Sequence, residues 1–178
     1  MKVLVIRHGK VKHTWKKSCS SAELDEECRL YDCAPIEDMA RIEDCEPKRV
    51  YISTLSRSFQ SAKMLFGERD FVKTALIKEV PLRSSIDTEK RITMLFWYTT
   101  GRIQWLINSK RQPEGIRQTR QRAIRFVRKL ISRNEDCAVV THGFFMRTLI
   151  AVMKQYGFRP DRKSLYFKNG EIIILQRK

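Results

Sequence analysis

Histidine is scarce in this chain, with three residues in 178. None stands at ligand spacing from a pair of cysteines, which argues against a zinc site. The five cysteines (Cys19, Cys28, Cys33, Cys45, Cys137) are odd in number and form no Cys-x-x-Cys pair. Free thiols in a reducing cytoplasm are therefore expected, not a disulfide framework. No run approaches the roughly eighteen consecutive apolar residues of a membrane-spanning helix. The apolar segment after Met1-Lys2 is too short for a signal-peptide core and has no cleavage site. Repeats, low-complexity runs and linker-like stretches are lacking too, so residues 1–178 are expected to form a single cytoplasmic domain with a core of its own. Acidic residues are outnumbered, 20 against 36 Lys+Arg, giving +16. Such a charge draws polyanions and small anions alike. No aromatic RNA-binding signature or basic recognition motif is present, so neither nucleic acid nor a membrane is the expected partner.

What is present alternates between strand and helix patterns. Val3-Leu4-Val5-Ile6 reads as a strand buried on both faces, ending in Arg7-His8-Gly9. A cationic segment containing Lys10, Lys12, His13, Lys16 and Lys17 reads as a loop, and Ser20 or Ser21 as the cap of a short helix. Pro35–Ile42, with proline and acids in its first turn, predicts a second helix. Arg49–Ser53 predicts a strand and Leu55–Phe66 a helix stopped by Gly67. Arg57 lies in that helix's first turn, where a cation opposes the dipole unless an anion sits nearby. Thr74–Lys78 predicts a third strand delivering Glu79. The apolar stretch from Thr88 to Asn108 predicts a helix broken or bent near Gly101, acting as a core or lid element in preference to a membrane-surface helix. Pro113–Arg133 is the clearest helix, apolar on one face and arginine-rich on much of the rest, a solvated cationic face by default. Cys137–Thr141 is a second buried strand ending in His-Gly, and a helix follows from there to Gly157. Asn169-Gly170 predicts a tight hairpin between Leu165–Phe167 and Ile172–Leu175. The pattern implies a three-layer α/β/α sandwich on a mostly parallel central sheet, closed by a C-terminal β-hairpin.

Two buried strands thus each end in His-Gly, and a strand–turn–helix unit adds Arg57. Ligands bind at the C-terminal edge of open α/β sheets. Adjacent strands would gather two histidines and two arginines there. Paired guanidinium groups make a phosphate clamp, and an imidazole inside it can take up a phosphoryl group. Positioning and charge neutralisation, which phosphoryl transfer mostly requires, are supplied without a metal or cofactor.

Three blocks carry a resemblance. Ile6-Arg7-His8-Gly9, Ser53-Thr54-Leu55-Ser56-Arg57-Ser58-Phe59-Gln60-Ser61-Ala62, and Val139-Val140-Thr141-His142-Gly143 with Arg147 occur in the order found in the histidine phosphatase superfamily. That superfamily has the fold of cofactor-dependent phosphoglycerate mutases, acid phosphatases and phosphohistidine phosphatases. The resemblance implies that His8 is the phosphorylated nucleophile and that Arg7, Arg57 and His142 hold the transferring group. It implies a metal-independent hydrolase of phosphomonoesters acting on a phosphorylated small molecule or phosphoprotein. A mutase-type phosphotransferase and a non-catalytic phosphate- or nucleic-acid-binding module are the alternatives. Glu79 is the candidate proton donor and base, with Glu114 as runner-up, while Lys10, His13 and Arg83 are candidates for binding the substrate. The chain departs from the pattern at Lys10–His13, at Thr54 where a proline is usual, and at Pro81–Ser85 where Gly-Trp-Glu-Gly often follows the acid. These departures leave the substrate open.

Overall fold

Alternation along the first strand sets the layers. The computed structural model describes residues 1–42, 46–162 and 166–178. In β1 (Lys2–Arg7), Val3 and Val5 join one buried cluster while Leu4 and Ile6 join another, so both faces of the strand are covered. Each of these side chains contributes about 1.5–3 kcal/mol of burial free energy before entropy is counted. After β1 come β2 (Ser18–Cys19), α1 (Ser21–Cys33), β3 (Arg49–Ile52), α2 (Ser56–Phe66) and β4 (Phe71–Lys73). They are followed by β5 (Ile92–Thr93), α3 (Met94–Leu106), α4 (Ile116–Arg133), β6 (Cys137–Thr141), α5 (Gly143–Gln155), β7 (Arg159–Pro160) and β8 (Ile172–Gln176).

The central sheet has the order β4-β3-β6-β1-β8-β7. β4, β3, β6 and β1 run parallel, and β8 and β7 add an antiparallel edge. Ala123, Phe126 and Val127 of α4 and Phe145, Met146 and Leu149 of α5 cover the face carrying Val3 and Val5. Ala62, Leu65 and Phe66 of α2 cover the face carrying Leu4 and Ile6. This is the expected mixed α/β architecture on a mostly parallel sheet. A small antiparallel pair, β2 with β5, ties α1 to the start of α3. Among the described residues no helix is long and apolar enough to cross a membrane.

Several elements differ from expectation, each for a tertiary reason. Pro35–Ile42 is not helical. Ile36 instead bridges to Val11, and its backbone N–H donates to the Gln60 side chain. Thr74–Lys78 is not a strand, because β4 ends at Lys73 and the Thr74 hydroxyl caps a 3-10 turn over Ala75–Ile77. The Thr88–Asn108 helix begins only at Met94, capped by Thr93, and runs through Gly101 without a break. Gly101 packs against Leu82, whose side chain would have to shift to admit a Cβ there. α4 starts at Ile116, after Pro113, with the Gln118 side chain accepting from the Gly115 N–H. The Asn169-Gly170 turn forms, with the Glu171 N–H donating to Lys168 O and Gly170 at φ +76°. Its first arm is not a strand at Tyr166–Phe167, and Ser164 and Leu165 lie outside the described residues. The arm paired with β8 is β7. The turn folds back onto β1 instead, where Asn169 Nδ2 donates to His8 O and Gly9 O, and the Gly170 N–H to Arg7 O.

Candidate active site

Register brings the two His-Gly segments side by side. Arg7 pairs with Thr141 and Ile52 with Val140, so His8, His142 and Ser53 each lie one step beyond the ends of adjacent strands. The His8 N–H donates to Thr141 O at 2.9 Å, and the imidazole centroids are 5.0 Å apart. Buried serines fix the strand–turn–helix unit next to them. Ser58 Oγ donates to Val140 O and accepts from the Ser53 N–H, while Ser61 Oγ donates to Arg57 O and accepts from the Gly9 N–H. These bonds set the first turn of α2 against the histidines.

Arg57 is the hub. Its Nε–H points between His8 Nε2 and His142 Nδ1, 3.2 Å from each. One proton is shared by two acceptors, so both nitrogens carry lone pairs. The tautomers follow from this hydrogen-bond pattern. His8 Nδ1–H donates to Gly9 O at 2.7 Å, and His142 Nε2–H to Ser53 Oγ at 2.6 Å. Arg57 Nη1 donates to Asp32 Oδ1 at 2.7 Å, and the guanidinium stacks over the Tyr31 ring at 4.9 Å. His8 and Arg57 are 2% exposed and His142 is not exposed at all. Burial, then the Arg57 charge, and to a lesser degree Arg7, lower the His8 pKa from 6.5 to about 3, against a smaller opposing effect of the Gly9 carbonyl. Burial, the neighbouring His8 and Arg57 push His142 well down as well.

Arg7 donates from Nη1 to Phe167 O, while its buried Nε has no protein partner. It lies against the backbone of Gly143, where an added Cβ would be 2.8 Å from Arg7 Nε. The glycine after His142 is thus required by the arginine before His8. Gly143→Ala is expected to displace Arg7 and weaken binding of inorganic phosphate about tenfold, read by calorimetry on a folded variant. Unchanged affinity would remove Arg7 from the anion site.

Glu79 follows the 3-10 turn and caps α5. Its Oε1 accepts from the Val80 and Phe145 N–H groups at 2.9 Å each, and its Oε2 from the Phe144 N–H at 3.3 Å. An anionic residue at a helix N-terminus is stabilising, and His142 gives that helix no side-chain cap. Arg7, Arg57, Glu79, Asp32 and Arg147 line one cavity of about 840 Å3; His8 and His142 do not line it and are bonded to Arg57, which does.

The expected substrate-binding residues are placed elsewhere. Lys10 pairs with Glu37 at 2.7 Å on the surface, Arg83 lies 3.8 Å from Asp25, and neither lines the cavity. His13 does not line it either, since its Nε2 is 3.1 Å from Glu27 and its ring stands edge-on to Trp15 and Tyr31. Glu114 pairs with Arg122 at 2.8 Å, and Arg122 in turn donates to Leu76 O and Lys78 O. The cavity also gathers residues that sequence reasoning missed, among them Trp15, Tyr31, Asp32, Tyr98 and Arg102. The Cys28 thiol lines it too, but burial raises its pKa to about 12, so it stays protonated. Among the described residues no group of three or more His, Cys, Asp and Glu side chains could hold a metal.

The sequence profile of the histidine phosphatase superfamily (branch 1) matches residues 3–178. The chain belongs to that superfamily. No curated protein matches the sequence. Among solved structures, it is similar to a phosphoserine phosphatase from Entamoeba histolytica at 16% identity and TM-score 0.55, over 97% of this chain and 89% of that one. YhfR of Bacillus stearothermophilus is 20% identical with TM-score 0.58, over 97% and 89% of the two chains. A mycobacterial glucosyl-3-phosphoglycerate phosphatase is 12% identical with TM-score 0.58, over 97% and 88%. At these identities the likeness is one of fold.

The buried neutral histidines predict acid sensitivity. Unfolded, His8 takes up a proton near pH 6.5; folded, it does so only near pH 3. Between these values the unfolded chain binds more protons. Stability is therefore complete above about pH 6.5 and falls as pH drops, by about 1.4 kcal/mol per unit from His8 and with His142 adding in the same direction. Urea denaturation at pH 7 and pH 5 should show a loss of about 2 kcal/mol or more, reduced in His8→Asn. Equal midpoints at the two pH values would contradict the buried neutral pair.

Proposed function

We propose that this protein hydrolyses phosphomonoesters through a phosphohistidine on His8, with no metal required in the step. One observation carries the reading: Arg57 Nε–H lies 3.2 Å from both His8 Nε2 and His142 Nδ1, so an unprotonated imidazole nitrogen meets a fixed guanidinium at the sheet edge. The phosphatase names of the Entamoeba and mycobacterial neighbours support it.

In this mechanism Arg7 and Arg57 bind the phosphoryl oxygens. The His8 Nε2 lone pair, released as Arg57 turns its Nε–H to a phosphoryl oxygen, forms the P–N bond as the ester P–O bond breaks, and Glu79 passes to the leaving oxygen a proton taken from the entering ester monoanion. Glu79 then takes a proton from water, whose oxygen attacks phosphorus, and the P–N bond breaks to release phosphate. The hydrogen bond from His8 Nδ1–H to Gly9 O holds the ring in the attacking tautomer. His142 takes up a second proton, from solvent, on Nδ1 beside the bound anion and donates it to a phosphoryl oxygen, while Ser53 holds its ring.

Leaving-group dependence tests the role of Glu79. Glu79→Gln should lower kcat/KM about a hundredfold or more for an alkyl phosphate but far less for para-nitrophenyl phosphate, whose leaving oxygen needs no proton. Both activities should survive EDTA. Equal losses on the two esters would assign the proton to another group, Asp32 being the nearest carboxyl to Arg57.

A further inference from the structure

The cavity is much larger than a phosphate. At about 840 Å3 it is in the range that holds drug-sized ligands. A short polar alcohol such as a serine or glycerate side arm would leave most of it filled with water.

One wall is aromatic from the clamp outward. Tyr31, stacked on the Arg57 guanidinium, is followed by Trp15 at a centroid distance of 5.0 Å, and Trp15 by Tyr98 at 5.9 Å. Trp15 and Tyr98 meet at 73°, forming a corner in which a third ring can stack on one and present its edge to the other. Both are only part-buried and both line the cavity. Leu82 and Leu95 line the same space.

The corner is held in place before any ligand arrives. His13 stands edge-on to Trp15 at 4.8 Å and to Tyr31 at 5.8 Å, and is itself fixed by Glu27. Side chains kept in position this way lose little entropy on binding. The wall begins at Arg57 with Tyr31, and the Trp15–Tyr98 corner lies next along it.

We infer, on the phosphatase reading above, that the alcohol part of the substrate is a planar aromatic ring, received in the corner between Trp15 and Tyr98. These two residues determine specificity and take no part in the bond-making steps.

Benzyl phosphate and cyclohexylmethyl phosphate test this, because they share a primary carbinol leaving group and differ in the flatness of the ring. The wild-type protein should prefer the benzyl ester about tenfold in kcat/KM. The preference should shrink to less than about threefold in Trp15→Ala and Tyr98→Leu and persist in Trp15→Phe. Turnover of both esters at equal efficiency, or a preference indifferent to these substitutions, would overturn the inference while leaving the phosphatase reading intact. If neither ester is turned over, the phosphatase reading fails by itself. Calorimetry with benzylphosphonate and cyclohexylmethylphosphonate then decides the aromatic question, tighter binding of the flat ring supporting the inference and equal binding refuting it.

Discussion

Replacing His8 with alanine should abolish turnover of an aryl phosphate, lowering kcat by roughly four orders of magnitude or more. No other group in the site can replace it. The other imidazole, His142, is not exposed at all and is held by Ser53 in the place where the proposed mechanism uses it as a donor, and Cys28 stays protonated. The variant should keep its fold, because the His8 backbone remains paired with Thr141 and Asn169. Binding of inorganic phosphate should persist, since the guanidinium groups are untouched. A His8→Ala protein that retains even a tenth of the activity would place the chemistry on another residue.

Arg57→Ala should cost about a thousandfold in kcat/KM, the scale on which removing one preorganised charge from a buried site is felt. Three contacts go at once: the shared proton on the two histidines, the pairing with Asp32, and the stack on Tyr31. Arg57→Lys should recover little. An ammonium retains the charge, but it lacks the planar fork that reaches both imidazoles and Asp32 together. Because the Arg57 charge is one cause of the low His8 pKa, the alanine variant should also show the imidazole proton signal of His8 titrating at higher pH. Near-normal kcat/KM in either variant would show that the guanidinium is not part of the phosphoryl site.

The fold was largely legible because its strongest elements have periodic patterns that tertiary contacts reinforce. Val3–Ile6 is apolar throughout and Cys137–Thr141 at every position but the last, both are buried on both faces, and α4 carries its apolar stripe at helical spacing. Pro35–Ile42 misled because local capping signals favoured a helix, while the Val11–Ile36 bridge and Gln60 satisfied the same backbone groups differently. The His-Gly pairs and Arg57 could be read because strand ends in a parallel sheet fall at one edge. The cavity wall could not. Trp15, Tyr31 and Tyr98 come from a loop, α1 and α3, and no short spacing links them. Charge alone assigns Lys10 and Arg83 to the substrate, whereas their partners Glu37 and Asp25 lie far off in sequence. Asp32 was hidden for the same reason, since its contact with Arg57 joins α1 to α2.

Rapid acid-free quenching of the protein during turnover of a phosphate ester, followed by phosphorus NMR and peptide mass analysis, tests the central claim most directly. An acid-labile, alkali-stable phosphoryl group on Nε2 of His8, formed and lost at rates compatible with turnover and absent from His8→Ala, is the expected result. Steady hydrolysis with no phosphoryl group on any imidazole, or with one on His142 instead, would contradict the account.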